Sequence, residues 1–365
     1  MPAVASPPSG TMTVAAYAGG GRVRMEPRPL PEPGPGEMLL RLRCAGLCGT
    51  DLFKLRYDTV PAGTVLGHEV VGTVETLGPG AFGFAPGDRV VVPHHVACGE
   101  CDLCLRGSET RCPAFRENLL APGGFSDRVL VRERAVRRAA FGLPPHLPDD
   151  AAVFLEPAAC VLRGIRHAQL EETALPTAPG GTRPVAAILG GGSMGLLHLL
   201  VLRSLYPTLR VVVSDPLADR RDAALHLGAA AAVVPGEAER AVTELSGERG
   251  ADVVFDTVGG TGPLAAALSL IRGGGAVVLF AHAPDGETAG FDLNTFFKGE
   301  RRVLATYSSS LSDQQEIYRL LVSRRLDPAP LVTHRLPLSR FGEAVTLARE
   351  QRALKVLLTP DEEIP

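Results

Sequence analysis

The apolar residues of this chain follow two different patterns, which meet near residue 160. Before that point, strand-length apolar runs are separated by glycine and proline, for example Met38–Cys44, Val70–Leu77, Asp88–Val92 and Arg128–Val131. Short strands at short spacing, with turn residues between them, are typical of a compact, barrel-like all-β unit. Residues 11–160 are therefore predicted to form such a unit.

After residue 160, apolar strands alternate with helix-length segments. The predicted strands are Val185–Leu189, Val211–Asp215, Ala231–Val234, Asp252–Asp256, Ala276–Phe280 and Arg302–Tyr307. Strands that are apolar on both faces and separated by helices indicate a parallel sheet covered on each side. The fold class is therefore predicted to be α/β plus β, with a doubly wound parallel sheet following the β unit.

The last part of the chain is expected to return to the first domain. Its predicted elements are a helix at Asp313–Arg325, a strand at Leu331–Arg335, a helix at Leu338–Arg349 and a strand at Lys355–Leu358. The predicted first domain thus comprises residues 11–162 and 311–365, and the inserted doubly wound domain comprises residues 163–310.

Composition restricts the class of protein. The 365 residues are 45% hydrophobic, enough for two domains of about 100–200 residues each. A net charge of −3 provides no basic field for a nucleic acid. The sequence shows no signal-peptide pattern and no apolar run near the ~18 residues that span a bilayer. We expect a cytoplasmic protein with neither nucleic acid nor membrane as a partner.

A dense cysteine cluster predicts a structural zinc site. Its members are spaced C-x2-C-x2-C-x7-C and lie in a lobe at about residues 94–115: Cys98, Cys101, Cys104 and Cys112. Four thiolates held close by short loops match the closed tetrahedral shell of structural zinc. Two disulfides or an iron–sulfur cluster are the alternatives, and a reducing cytosol favours zinc over disulfides.

Three separated segments could supply a second, open metal site. Cys48, His68 and Glu156 offer a thiolate, an imidazole and a carboxylate. A mixed donor set of this kind leaves a zinc position free for water or substrate. Asp51 or Glu69 could orient His68 or exchange with water at the metal, and the sequence leaves open whether Glu69 or Glu156 is the direct third ligand. Cys160 is the substitute if Glu156 is not a ligand.

A glycine-rich turn predicts a dinucleotide site. G-x-G-x-x-G follows the strand Val185–Leu189 and precedes a helical stretch, Leu196–Leu205, which is the arrangement that brings backbone N–H groups to a pyrophosphate. Asp215 ends the next strand, where a carboxylate binds the ribose hydroxyls and favours NAD over NADP. Arg220 and Arg221 lie close behind it, and an exposed helix face is the alternative interpretation of both. The predicted cofactor-binding residues are Gly190, Gly192, Ser193, Met194, Gly195, Asp215 and Arg220.

In combination, these motifs resemble the zinc-dependent medium-chain alcohol dehydrogenases. The resemblance rests on Cys48–Asp51, Gly67–Glu69, the four-cysteine lobe, Glu156-Pro157, the glycine turn and Asp215, in the family's order, and covers residues 12 to 359. A glutamate at position 156 resembles the polyol, sugar and threonine dehydrogenase branch, because the classical alcohol branch has cysteine there.

The resemblance implies a GroES-like catalytic domain interrupted by a Rossmann domain, with the active site in the cleft between them. It further implies two zinc ions per chain, NAD, an alcohol or ketone as the small-molecule substrate, and a homodimer or homotetramer. Thr50 takes the role of the hydroxyl that bonds the substrate oxygen and helps to carry its proton away. Many members of the branch have histidine two residues after the aspartate of the first motif, whereas this chain has Phe53.

The expected reaction is reversible NAD-linked oxidation of a secondary alcohol, such as a polyol, cyclitol, sugar or hydroxy amino acid. The alternatives are a zinc-free enone or quinone reductase of the same superfamily, or a non-catalytic zinc-lobed protein that binds a nucleotide. Candidates for contact with substrate are Phe53, Tyr57, Phe115, Asn118, Leu119 and the stretch Tyr307–Ser310.

Overall fold

A computed structural model describes residues 10–170 and 183–361. Its internal contacts divide the chain into two compact units, Met1–Pro157 with Ser310–Pro365, and Ala158–Ser309. The first division falls inside one helix, Leu155–His167. The predicted division at 162/163 falls in the same helix. Among the described residues, no helix has both the length and the apolarity needed to cross a membrane.

The first unit is built on a curled, mainly antiparallel sheet. Its central strand, Met38–Gly46, pairs with Glu69–Leu77 on one side and with both Arg128–Val131 and Lys355–Thr359 on the other. The remaining strands of this sheet are Arg89–Pro93, Leu120–Ala121, Phe141–Gly142 and Val332–Pro337, and a separate hairpin pairs Thr11–Gly19 with Arg22–Pro29. The strand Lys355–Thr359 therefore lies beside the central strand Met38–Gly46, although the two are far apart in the sequence.

Buried apolar side chains, on both faces of its central strands, hold this sheet together. Leu40, Leu42, Val70 and Val74 are fully or almost fully buried in one apolar cluster. The strand Glu69–Leu77 also contains Gly72, where a Cβ would collide with Leu40. The helices of the first unit are Gly49–Tyr57, Asp102–Leu105, Glu133–Ala139, Asp149–Ala152, Leu311–Val322 and Phe341–Arg349, and Leu155–His167 begins in it.

The second unit contains a six-stranded parallel sheet. Across the sheet the order is Ala231–Val233, Arg210–Ser214, Val185–Leu189, Ala251–Asp256, Ile271–Leu279 and Arg302–Ala305. Every pairing is parallel, and Val185–Leu189 is buried at each position. The order reverses beside this strand, which makes its carboxyl end the point where such sheets bind ligands. Within residues 183–309, the α-helices are Ser193–Leu205, Ala218–His226, Ala238–Ser246, Thr261–Leu270 and Leu293–Lys298.

Some element limits differ from the prediction for local reasons. The helix predicted at Asp313–Arg325 spans Leu311–Val322, because Ser310 caps it by exchanging hydrogen bonds with Asp313. Its end is set by Arg324, which has a left-handed backbone with φ 56°. The helix predicted at Leu338–Arg349 is a short 3-10 turn followed by the α-helix Phe341–Arg349.

Candidate active site and metal centres

The start of the helix Gly49–Tyr57 organises the mixed-donor site. Cys48 is its N-cap residue, and the backbone N–H of Cys48 donates to Oδ2 of Asp51 at 3.0 Å. The other oxygen, Oδ1, accepts from Gly67 N at 3.3 Å and faces Nδ1 of His68 at 3.4 Å. Asp51 is completely buried. It therefore joins the helix start to the Gly67–Glu69 segment and orients the imidazole of His68. Metal-binding histidines usually have such a hydrogen-bond partner on their second ring nitrogen.

Three of the predicted ligands meet at this point. Ligand atoms of Cys48, His68 and Glu69 all lie within 4.8 Å of one another. Sulfur, imidazole nitrogen and carboxylate oxygen are donors that suit Zn²⁺. Because Nδ1 of His68 faces Asp51, Nε2 is the nitrogen left for a metal. The donor set of this chain therefore fits a zinc ion.

The charges at this site favour a cation. Burial disfavours the charged form of His68, but Asp51 and the Cys48 thiolate outweigh it, so the pKa of His68 is raised well above its usual value. Burial likewise acts to raise the pKa of Asp51, and the opposing attraction of His68 leaves it lowered. The raised pKa of His68 expresses the negative charge around its ring, which favours a bound cation, whereas the lowered pKa of Asp51 expresses its pairing with that ring.

Glu69 is already paired. Nζ of Lys355 lies 2.8 Å from Oε1 and 2.7 Å from Oε2 of Glu69, and both residues are buried. The pairing of the strands brings the two residues together. Gly46 is paired with Glu69 in one neighbouring strand and with Leu357, two residues after Lys355, in the other. A Cβ at position 46 would collide with the Glu69 carboxylate, so glycine is needed there. Both oxygens of Glu69 are therefore held by the protein.

Glu156 lies in the first turn of the helix Leu155–His167 and is 8% exposed. Its negative charge contributes to the raised pKa of Lys355, although burial of the lysine acts in the opposite direction and Glu69 contributes most to the rise. Among the described residues, the metal-type group around Cys48 does not include Glu156. Its role as a metal ligand, like that of Thr50 in proton transfer, stays a prediction.

The four cysteines of the lobe come together. Their sulfur atoms lie within 4.8 Å of one another, with separations of 3.5 Å for Cys101–Cys104 and Cys98–Cys112. Four sulfurs placed ~2.3 Å from one metal ion are about 3.8 Å apart, whereas a disulfide bond is about 2.05 Å long. All four are free thiols, and Phe115 packs against them. The arrangement fits a tetrahedral metal rather than disulfides.

Backbone amides stabilise one of these thiolates. Hydrogen bonds from Glu100 and Cys101 lower the pKa of Cys98 to about 6. The guanidinium of Arg138 donates to the Cys98 carbonyl at 2.7 Å and occupies the space beside Gly99. The lobe is thus attached to the helix Glu133–Ala139 of the first unit.

The glycine turn has the geometry that a dinucleotide requires. Gly190 has φ 96°, and a Cβ on Gly195 would collide with the Gly190 carbonyl, so the helix Ser193–Leu205 packs directly on the turn. Ser193 and Met194 form its first residues and Gly192 its N-cap. The free N–H groups of this helix end can therefore approach a phosphate.

Asp215 is fixed at the end of the neighbouring strand. Its carboxylate accepts from Gly191 N at 2.7 Å and from Leu217 N at 2.8 Å. Nη1 of Arg220 lies 3.4 Å from Oδ2, and the Arg220 side chain is only 19% exposed. Its Nε is buried with no partner among the described residues. Arg220 therefore lies against the glycine turn rather than on an exposed helix face.

Several residues that the sequence suggested for substrate contact have structural tasks. Phe115 belongs to the apolar centre of the cysteine lobe, and Leu119 is buried in the main core. Ser310 caps a helix. Phe53 packs its ring 4.7 Å from Tyr57 on the helix Gly49–Tyr57, next to the site.

Sequence reasoning missed Lys355 and two histidines. Lys355 was hidden in an apolar strand. The ring of His94 lies 4.7 Å from that of His68 and 3.6 Å from that of His95. The signal available was the adjacent pair His94-His95, one residue after a predicted strand and at the start of the cysteine lobe.

Family models match both units. The model described as alcohol dehydrogenase GroES-like domain matches residues 34–140, and the one described as zinc-binding dehydrogenase matches residues 194–323. Together they cover more than half of the chain. The predicted fold class, a GroES-like β domain with an inserted Rossmann sheet, is thereby confirmed.

Curated relatives and solved structures agree with these matches. The chain is 29% identical to the L-threonine 3-dehydrogenase of Anaeromyxobacter dehalogenans, covering 88% of this chain and 90% of that protein. It is 28% identical to the sorbitol dehydrogenase of Halalkalibacterium halodurans, over 89% and 92%.

Among solved structures, the alcohol dehydrogenase TADH from Thermus sp. ATN1 is 28% identical with a TM-score of 0.81, covering 96% of this chain and 100% of that one. A protein described as a zinc-binding dehydrogenase from Sinorhizobium meliloti 1021, bound to NADP, is 26% identical with a TM-score of 0.82, covering 96% and 99%. The chain belongs to the zinc-dependent medium-chain alcohol dehydrogenase family, and it is a dehydrogenase that acts on CH–OH groups.

Proposed function

We propose that the protein is a zinc-dependent, NAD-linked enzyme that interconverts a secondary alcohol and its ketone by hydride transfer. The alcohol is a polyol, cyclitol, sugar or hydroxy amino acid, as the names of the threonine and sorbitol dehydrogenase relatives suggest. The observation that carries the proposal is that ligand atoms of Cys48, His68 and Glu69 meet around one point.

Two zinc ions per chain are proposed. Cys98, Cys101, Cys104 and Cys112 would hold one as a structural ion. Cys48, His68 and Glu156 would hold the other, with Glu69 kept beside it by Lys355, because both oxygens of Glu69 are already hydrogen-bonded. In that position zinc supplies Lewis acidity, which makes an alcohol easier to deprotonate.

The residues of the chain perform the remaining tasks. The hydroxyl of Thr50, two residues after Cys48, would accept the proton of the alcohol and pass it on. Asp51 holds His68 in the orientation that presents Nε2. The glycine turn and Ser193–Gly195 would bind the pyrophosphate of the cofactor, and Asp215 would bind the adenosine ribose hydroxyls.

NAD is proposed over NADP, because the buried carboxylate of Asp215 would repel a 2′-phosphate. Arg220 lies beside that carboxylate and would also contact the cofactor. The test measures kcat/KM with each cofactor. In the wild-type protein the value with NAD⁺ should exceed the value with NADP⁺, and Asp215→Ser should reduce the ratio of the two values. A preference of the wild-type protein for NADP⁺ would contradict the proposal.

A homodimer or homotetramer is proposed. The helix Leu293–Lys298 exposes Leu293 by 76% and Phe297 by 81%, and Phe291 nearby is 41% exposed. The strand Arg302–Ala305 beside it forms the edge of the parallel sheet. Exposed apolar side chains near an open sheet edge are typical of subunit contacts. The free thiols support a reducing location, and we propose the cytoplasm.

Two measurements decide the catalytic proposal. Metal analysis should find two zinc ions per chain, whereas the zinc-free reductase and the non-catalytic nucleotide-binding protein both predict one. Cys48→Ser and His68→Ala should abolish NADH formation from polyols, sugars, inositols and L-threonine, while the binding of NAD changes little. Retained turnover in both variants would refute the proposed centre.

A further inference from the structure

One buried ammonium contacts all three segments that carry the proposed ligands of the mixed-donor site. It belongs to Lys355, the first residue of the strand Lys355–Thr359, far along the chain from Cys48 and His68. Lys355 is 2% exposed, and the residues it contacts are buried as well. Each of those residues lies within two positions of a proposed ligand, so this one side chain bears on the whole metal centre.

The segment before Cys48 is held at two points. The carbonyl oxygen of Leu47 lies 3.5 Å from Nζ of Lys355, and the backbone N–H of Leu47 donates to the carbonyl of Val356 at 3.0 Å. Together with the two oxygens of Glu69, at 2.8 and 2.7 Å, the ammonium has three acceptors for its three N–H groups. The protein therefore fixes the position of Nζ and, through it, the two segments.

A third contact reaches the segment of Glu156. Nζ of Lys355 lies over the ring of Phe154, 5.4 Å from its centroid, and Phe154 precedes Glu156 by two residues. A cation at this distance is attracted by the face of an aromatic ring. Phe154 is completely buried between the helices Asp149–Ala152 and Leu155–His167. The attraction therefore acts just before the helix that carries Glu156.

Stability alone does not account for a lysine at this position. Burial of an ammonium and a carboxylate costs desolvation free energy, and apolar side chains of similar volume often replace such a pair without loss. A cation next to a zinc site also repels the metal ion. What Lys355 contributes is a fixed point for several segments, and metal sites bind tightly when their ligands are held in place by surrounding contacts.

We propose that Lys355 is a positioning residue of the mixed-donor site. It holds the three ligand-bearing segments together, so that their ligand atoms lie close to one another before zinc binds. Lys355 acts through Leu47, Glu69 and Phe154, and it contacts neither the metal nor the substrate. This inference rests on the proposed function and adds to it a residue from the C-terminal strand.

The test compares two variants that both lack the Glu69 carboxylate and differ only at position 355. They are Glu69→Gln and Glu69→Gln with Lys355→Met. Glu69→Gln with Lys298→Met is the matched control, because Lys298 is exposed and belongs to the second unit. The affinity of the mixed-donor site for zinc is measured on the full chain by competition with a chelator, with zinc retained in the cysteine lobe.

Charge and positioning predict opposite results for this pair of variants. If Lys355 acts by its charge alone, its replacement removes a cation from the site, and the double variant should bind zinc more tightly than Glu69→Gln. If Lys355 positions the ligands, the double variant should bind zinc about tenfold to a hundredfold less tightly, the loss typical of residues that orient metal ligands. We expect the second result, and the control should bind zinc as Glu69→Gln does. Equal or tighter binding by the double variant would overturn the inference.

Urea unfolding tests whether a general loss of structure causes the change. Glu69→Gln leaves a buried ammonium without its carboxylate, whereas the double variant buries neither charge and should be at least as stable. Weaker zinc binding in a variant of equal or greater stability supports positioning. If the double variant loses stability and zinc affinity together, Lys355 has a general structural role and the inference is wrong.

The zinc content of the wild-type protein separates this inference from the proposed function. One zinc ion per chain would refute the proposed catalytic centre and this inference with it. Two zinc ions per chain, with no weaker binding in the double variant than in Glu69→Gln, would overturn the inference alone and leave the proposed function intact.

Discussion

The two metal-type clusters of this protein are assembled in opposite ways. The four cysteines come from one short segment, Cys98–Cys112, and are brought together by local turns. The cluster of Cys48, His68 and Glu69 depends on a helix start, a loop and a strand, and on Lys355 from the other end of the chain. A locally assembled site can support the fold around it, whereas a site assembled from distant segments requires the fold to exist first.

The largest expected difference follows from exchanging one ligand in each cluster. Cys48→Ser should lower kcat/KM about a thousandfold or more and leave the melting temperature nearly unchanged, because the sheet does not depend on that thiolate. Cys101→Ser should lower the melting temperature by roughly 10 °C or more, because structural zinc contributes folding free energy. Calorimetry and steady-state kinetics on both variants check this, and equal effects on stability would contradict the contrast.

A chelator should remove the two zinc ions at different rates. A closed four-thiolate shell exchanges slowly, whereas a site with an open position exposes its ion to the chelator. We expect EDTA to remove activity in a fast phase with one zinc lost, and the second zinc to leave slowly with loss of structure. Zinc release measured with a chromogenic dye, alongside activity and circular dichroism, would show a single phase if the clusters were equivalent.

The buried pair Glu69–Lys355 tests the dependence on distant segments. Lys355→Met leaves the buried carboxylate without its partner, which should reduce the free energy of unfolding by about 3–5 kcal/mol. The double variant Glu69→Gln with Lys355→Met should recover most of this loss, because no charge remains buried. Urea unfolding measures both. A fully additive double variant would show that the two residues do not interact.

Gly46→Ala tests the Glu69–Lys355 pair by adding a methyl group next to the Glu69 carboxylate. The new methyl group would collide with the Glu69 carboxylate, so we expect a loss of about 1–3 kcal/mol in the free energy of unfolding and reduced activity. Gly342→Ala is the control, since a Cβ there meets no atom within 4 Å. Equal free energies of unfolding for the two variants would mean that the strand adjusts to the methyl group without loss of stability.

The last test is the pH dependence of stability, and it concerns the second unit, which contains neither cluster. Burial lowers the pKa of His198 to about 4, and its ring packs against Phe255 and Phe280. The unfolded chain binds this proton near pH 6.5, so stability falls as the pH decreases from about 6.5 to 4, by roughly 2 kcal/mol at pH 5. His198→Met should remove that part of the pH dependence in urea titrations, and an unchanged slope would contradict it.

Local signals in the sequence predicted a large part of the molecule. The strand Val185–Leu189, the glycine turn after it and Asp215 follow one another within a single βαβ unit, so spacing alone indicates their proximity. The strand Arg128–Val131 was also predicted at its observed limits. The limits of the helix Leu311–Val322 were missed, because a capping exchange between Ser310 and Asp313 decides where it begins.

The sequence by itself determined the two classes of sheet, the four-cysteine cluster and the glycine turn, because each follows from periodicity or short-range spacing. Only the tertiary structure decided that Lys355 meets Glu69 and that His94 stacks beside His68. Those contacts depend on strand register between segments far apart in the chain, and a shift of one residue in a strand would turn each side chain to the opposite face.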